Sequence, residues 1–260
     1  MFYYNIKNYR KNECQLIMQK FILTFLLLLS VNCIFGQAEI FLSYNSHRKK
    51  ALNAMEAKNY KLSQQYFDSA FREINFIPYD YFYAFQAAIN DSNFQKGTNY
   101  LIQGALVGLN SDSWSTTETN IYFSKNEGKN FRKYKDSLQK IHRQSIDTVY
   151  YNRLLKLREN DQLIRKLTNN DSLIEVQDSI NFDNLISFTK QFGFPSFKTT
   201  GYGFNFANLI LWHQRDRYPT SKQWIEILPY INTQINLGNV DPNMFLMFDE
   251  FIKKYPNETH

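Results

Sequence analysis

"NAMEAKNYKLSQQYFDSA", Asn53 to Ala70, returns 34 positions later as "AAINDSNFQKGTNYLIQG", Ala87 to Gly104. Under that shift Ala54 falls on Ala88, Asn59 on Asn93, Tyr60 on Phe94, Ser63 on Gly97, Tyr66 on Tyr100 and Ala70 on Gly104. Small residues and aromatics recur in step. Two helices of a hairpin approach closely only where side chains are small, and an aromatic leaving the turn fills the wedge between them. A repeat of this length is therefore read as a helical hairpin stacked on its own copy.

The period and pattern resemble tetratricopeptide (TPR) repeats over about residues 46 to 110. Asn59-Tyr60 and Asn93-Phe94 stand in the turns, and Pro78 closes the first unit. The Trp and Gly usual in the first helix of such repeats are missing. The resemblance implies a surface that grips a peptide or a protein partner, or a scaffold that merely supports the C-terminal region. Two units rarely bury a continuous core, so further helices should cap them. Phe131, Tyr134, Leu138 and Ile141 follow a three-and-four spacing, which predicts a helix stacked on the second repeat through that stripe.

From Tyr150 the pattern changes. At 100° per residue, Leu154, Leu157 and Ile164 share a helix face with Asp161 and Arg165. At the edge of the core such a pair contributes about 0.3–0.5 kcal/mol; among apolar neighbours it needs a complete hydrogen-bond network. Both placements stay open. A second helix is expected from about Asn181 to Phe192, burying Phe182, Leu185, Ile186 and Phe188 and ending at Gly193. A third begins near Phe204 and carries Phe206, Leu209, Ile210 and His213 on one face. An inward imidazole needs partners or costs about 1–3 kcal/mol, and Asp161 and Asp178 are the first candidates. Thr220 with Gln223 reads as a capping box, Pro229 as a kink and Asp241-Pro242 as the start of a last helix, with Met244, Phe245, Met247, Phe248, Phe251 and Ile252 in the core.

The order D-Q-x-x-R (Asp161, Gln162, Arg165), D-x-x-N (Asp178, Asn181), G-x-P (Gly193, Pro195), Gly201 and a helix closing in His213 resembles an uncharacterised bacterial domain family, over about residues 150 to 250. Members continue through L-x-D-R to a terminal Q-x-Y-G-T-Q. Here Asp249 stands where that Asp falls, Glu250 replaces the Arg, and the final motif is missing. The resemblance supplies positions and no reaction.

At the N-terminus, Met18-Gln19-Lys20 and the apolar run "FILTFLLLLSV" have the length of a signal-peptide core, about 7–15 residues, and fall short of the roughly 20 that span a bilayer. Residues 1–37 are therefore read as an export signal, with Met18 as a fitting start and cleavage leaving a chain near Ala38; lipidation at Cys33 is the alternative. Loss of Lys7, Arg10, Lys11, Lys20 and Glu13 takes the net charge from +6 to +3. With no Lys/Arg block interleaved with aromatics, nucleic acid is not an expected partner. Cys14 and Cys33 both fall before Ala38, so the exported chain has no thiol for a disulfide or a nucleophile. With 43% hydrophobic residues, 9 Gly and 6 Pro, the remainder reads as folded.

No phosphate loop, nucleophile elbow or H-E-x-x-H occurs. The histidines His47, His142, His213 and His260 stand far apart, so neither metal nor cofactor is expected. The resulting reading is all-α: TPR-like hairpins over 38–112, connecting helices over 113–149, and a helical C-terminal domain over 150–260. Two functions are compatible with it. One is a binding or scaffold protein of the cell envelope, periplasmic or extracellular, with a protein or peptide partner. The other is an enzyme with His213 as general acid or base, Asp161 or Asp178 orienting it, and Arg165 holding an anionic group.

Overall fold

In the computed structural model, residues 40–110, 117–246 and 248 are described. The expected signal segment, Cys33, and Met247, Asp249, Glu250, Phe251 and Ile252 lie outside them. Among the described residues the chain is all α-helical, with no strand.

The repeat is visible in the turns before it is visible in the packing. Helix α1 (40–56) leads to α2 (Tyr60–Glu73) through Lys58 at φ 57°, and α3 (Pro78–Asn90) leads to α4 (Phe94–Leu106) through Ser92 at φ 58°. Each turn closes with the same bonds: Asn59 N–H to the Ala54 carbonyl and Asn93 N–H to the Ala88 carbonyl, both 2.8 Å. Asn59 and Asn93 then cap α2 and α4 by accepting from the Leu62 and Lys96 amides, both at 3.3 Å. Two residues 34 apart thus perform one job twice. Pro78 occupies the first turn of α3, where its missing N–H costs nothing.

Ala51, Phe67, Ala84, Phe85, Ala88 and Leu101 build the first core with α5 (Thr117–Ser124) and α6 (Asn126–Ser145). The small residues of the repeat sit at the contacts. A Cβ on Gly104 would come within 2.9 Å of Tyr81 Cβ and 2.5 Å of Leu109 Cδ2, so α4 reaches its neighbours only with glycine there.

Helix α6 does pack on α4, but on a different face from the one expected. Phe131 is buried and Leu138 half-buried, whereas Tyr134 and Ile141 are 61% and 51% exposed. The buried stripe runs through Gly128, Phe131, Leu138 and His142, about 60° away by the 100° rule.

The second core joins α7 (Thr148–Leu167), α8 (Asp171–Phe192), α10 (Gly203–His213) and α11 (Lys222–Asn236) around Leu154, Phe182, Leu185, Ile210 and Trp224. A short α9 (Phe197–Thr200) precedes α10. Helix α8 starts ten residues before the expected Asn181, because Asn170 caps it by accepting from Leu173 N–H and its first turns lie outside the core. Ser221 caps α11 in place of Thr220, accepting from Trp224 N–H at 3.3 Å, and Gln223 instead donates to Asp183 at 2.6 Å. Helix α11 runs through Pro229 and stops before Gly238 at φ 65°. After Asp241 the chain makes a 3-10 turn, Pro242–Phe245.

A third, smaller cluster sits between the two cores. Phe41 and Tyr44 of α1 meet Ile74, Phe76 and Phe197, and Asn45 donates to Asp241 at 3.0 Å. The start of α1 is thereby fixed to the C-terminal helices.

Candidate functional site

Asp161, Arg165, Asp178 and His213 come from three helices and meet at one place. On α7 the buried stripe is Tyr150, Leu154, Leu157 and Asp161, so helical phase alone drives the Asp161 carboxylate inward until it is fully buried. An unpaired charge there would cost several kcal/mol. Arg165, one turn on, supplies the compensation: Nη1 donates to Asp161 Oδ1 at 2.8 Å and to Asp178 Oδ1 at 3.0 Å, and Nη2 donates to Asp178 Oδ2 at 2.9 Å. Gln162 Nε2 donates to the second Asp161 oxygen at 2.7 Å. The pair is therefore the buried, networked one and not an exposed pair at the edge of the core.

His213 ends α10 with its side chain 19% exposed and Nε2 3.4 Å from Asp161 Oδ1. That contact lacks hydrogen-bond geometry, and Nε2 has no hydrogen-bond partner among the described residues. Burial pushes the imidazole pKa below its ordinary value; Asp161 and Asp178 pull it up, while Arg165 and Arg215 push it further down. The ring is thus neutral at pH 7. Asn181, a turn after Asp178, is fully buried and accepts from Gln177 at 3.0 Å.

Chemically the cluster spends most of its charge on itself. Arg165 turns three N–H bonds onto the two carboxylates, and none of the four residues lines the cleft between the two cores or the smaller cavity under α1. Its plain consequence is mechanical: one guanidinium ties α7 to α8, and His213 abuts the same carboxylate from α10. Among the described residues no group of three His, Asp or Glu side chains converges as a metal site, and no helix is long and apolar enough to cross a membrane.

The larger open space lies elsewhere, a cleft of about 760 Å³ between the two cores. Pro78, Tyr79, Leu109 and Asn110 form its hairpin wall. Gln139, His142, Arg143 and Ile146 of α6 and the adjoining link form its back. Thr148, Tyr151, Asn152 and Tyr202 close it from the C-terminal side. The Tyr79 hydroxyl donates to the Tyr202 hydroxyl at 2.8 Å, a bond between residues 123 apart that ties the two halves. Burial first, and then that bond, raises the Tyr79 pKa well above the ordinary phenol value, so the proton stays in place. Both rings remain about 40% exposed, with centroids 6.0 Å apart and planes tilted by 55°.

His142 anchors the back of the cleft. Its imidazole touches Gly108 and Gly201, and a Cβ built on Gly201 would lie 2.6 Å from His142 Nε2. Gly201 also holds φ 53°, ψ −130°, a conformation that L side chains avoid. Burial lowers the His142 pKa, a hydrogen bond to the Leu106 carbonyl opposes this, and Arg143 lowers it further. Sequence reading passed over His142, Tyr79 and Tyr202. The signal available for His142 was its spacing of four from Leu138 on the buried face of α6; for the tyrosines there was none, since their pairing spans both halves.

A second cavity of about 220 Å³ lies under α1. Its polar groups are spoken for: Arg48 Nε donates to Asp80 at 2.8 and 3.0 Å, and the Tyr44 hydroxyl donates to the same carboxylate.

Compared with known protein families, curated proteins and solved structures, the chain matches none.

Proposed function

We propose that this is an exported binding protein that holds a small ligand in the cleft between its hairpin array and its C-terminal helices. The observation that carries the reading is the cleft itself: about 760 Å³ is within the usual range for small-molecule sites, roughly 300–1,000 Å³. It is lined by ring faces and polar side chains contributed from both cores. The duplicated hairpins support a TPR-like origin for one wall, and the apolar run after Lys20 supports export, with a mature N-terminus near Ala38.

Convergence of His213, Asp161, Arg165 and Asp178 favours the second reading, an acid-base enzyme. The engagement of that guanidinium with two carboxylates of its own chain, and the absence of all four residues from the cleft lining, weigh against it. A His213→Ala variant separates the two: lost stability with ligand binding retained indicates the mechanical role.

The binding reading is tested by thermal shift of the purified protein against a panel of saccharides, peptides and nucleotides. At least one compound should raise the melting temperature, as a ligand at about 100 times its Kd adds roughly 2.7 kcal/mol. The response should vanish in Tyr79→Ala and Tyr202→Ala. Responses that survive both substitutions would place the ligand elsewhere and reject the proposal.

A further inference from the structure

The cleft has a chemical preference, and the inference rests on the reading of the cleft as the binding site. We infer that its ligand is a saccharide carrying a carboxylate, a uronic-acid type of ring.

Three features of the lining point there. First, no Asp or Glu lines the cleft, whereas Arg143 does, exposed and without an ion pair among the described residues. A lone guanidinium fork matches one planar carboxylate, held by two parallel bonds; a phosphate dianion would call for a second cation, and the remaining basic side chain in the lining is His142, wedged against Gly108 and Gly201. Second, Tyr79 and Tyr202 present ring faces tilted 55° to each other at 6.0 Å. This is a shallow ledge and not a parallel slot, so a puckered ring with apolar C–H groups on one side sits on it better than a flat nucleobase. Third, Gln139, Asn152 and Thr148 offer amides and a hydroxyl around that ledge. Such groups both donate and accept, which is what neighbouring hydroxyls of a sugar require.

The test is calorimetric titration of the purified full chain with trigalacturonate, with maltotriose as the uncharged counterpart and adenosine monophosphate as the planar anion. The acidic trisaccharide should bind saturably, and most tightly of the three. Arg143→Gln should weaken it about tenfold to a hundredfold and remove its salt dependence, with Arg143→Lys between the two. Because Arg143 is exposed and unpaired among the described residues, its loss leaves the fold intact, and an unchanged urea midpoint verifies this.

Equal affinity for maltotriose, preference for the nucleotide, no binding of trigalacturonate, or indifference to Arg143→Gln would each overturn the assignment. These outcomes are separable from failure of the cleft reading. If panel compounds still lose their effect in Tyr79→Ala and Tyr202→Ala, the cleft stands and only the acid-sugar preference falls; if those substitutions change nothing, the cleft itself is rejected.

Discussion

Replacing Arg165 by Met tests the idea that one guanidinium ties α7 to α8. Asp161 is fully buried and Asp178 is 7% exposed, so the substitution strands two carboxylates away from water. Removing one partner of a buried ion pair costs about 3–5 kcal/mol. At roughly 2–4 °C per kcal/mol for a chain of this size, the melting temperature should fall by about 6–20 °C. The pH dependence supplies a second readout whose sign is fixed by the structure. In the native protein the His213 pKa lies below its unfolded value, so the unfolded chain takes up the proton first, and His213 contributes stability above about pH 6.5 that is lost as the pH falls. Arg165 is one of the groups pushing that pKa down, while Asp161 pulls it up. Without Arg165, the imidazolium becomes the nearest counter-charge for Asp161. The folded pKa then rises toward the unfolded one, although burial still opposes the charge, and the stability that His213 loses on acidification shrinks. Urea midpoints between about pH 5.5 and 7.5 should therefore fall less steeply on acidification in the variant than in the parent, and the His213 ring resonances should titrate higher in the variant. Adding Asp161→Asn and Asp178→Asn to Arg165→Met should recover much of the loss, because neutral polar groups need no counter-charge. A single-variant cost below about 1 kcal/mol, the level of an exposed pair, with an unchanged slope would refute the reasoning.

Three further outcomes are expected from the fold. Gly201→Ala should cost about 1–3 kcal/mol for its backbone conformation alone, plus the contact with His142; combined with His142→Ala, the cost in urea unfolding should be less than the sum of the two, and strict additivity would contradict the contact. Asn59→Ala and Asn93→Ala should each cost about 0.5–2 kcal/mol and match each other closely, because their turns are duplicates; a large inequality would deny the structural repeat. Trp224→Phe should cost at least about 1–3 kcal/mol, because the indole N–H that donates to the buried Gln214 carbonyl at 2.7 Å is lost and the smaller ring leaves part of a fully buried site empty; a neutral effect in thermal unfolding would contradict both.

What could be read from the residues was whatever local periodicity governs. The cap at Asn59 recurs at Asn93 because a hairpin turn demands the same side chain at the same offset, and a shift of 34 exposes it. Asp161, Arg165 and His213 are turned inward by phase because α7 and α10 carry enough apolar residues to fix it, whereas Asp178 stands before the expected start of α8 at Asn181 and enters only as a candidate partner for the imidazole. Helix α6 lacks that information. It is rich in Lys, Arg, Asn and Gln, and its four large apolar residues do not choose between two neighbouring faces; the contact with α4 selects the face holding Gly128 and His142 and leaves Tyr134 and Ile141 in water. The cap of α11 moved by one residue because Thr220 and Ser221 offer the same hydroxyl, and backbone geometry decides between them. The cleft was out of reach for a different reason: Tyr79 and Tyr202 meet only once both cores are packed, and no local spacing records that meeting.

Hydrogen exchange with and without a compound that stabilises the protein tests the cleft most directly. Protection should appear together around Tyr79, around Asn110, along 139–152 and around Tyr202, which are far apart in the chain and share only this cavity. Protection confined to the Asp161–Arg165–Asp178 cluster, or to one core alone, would contradict the account.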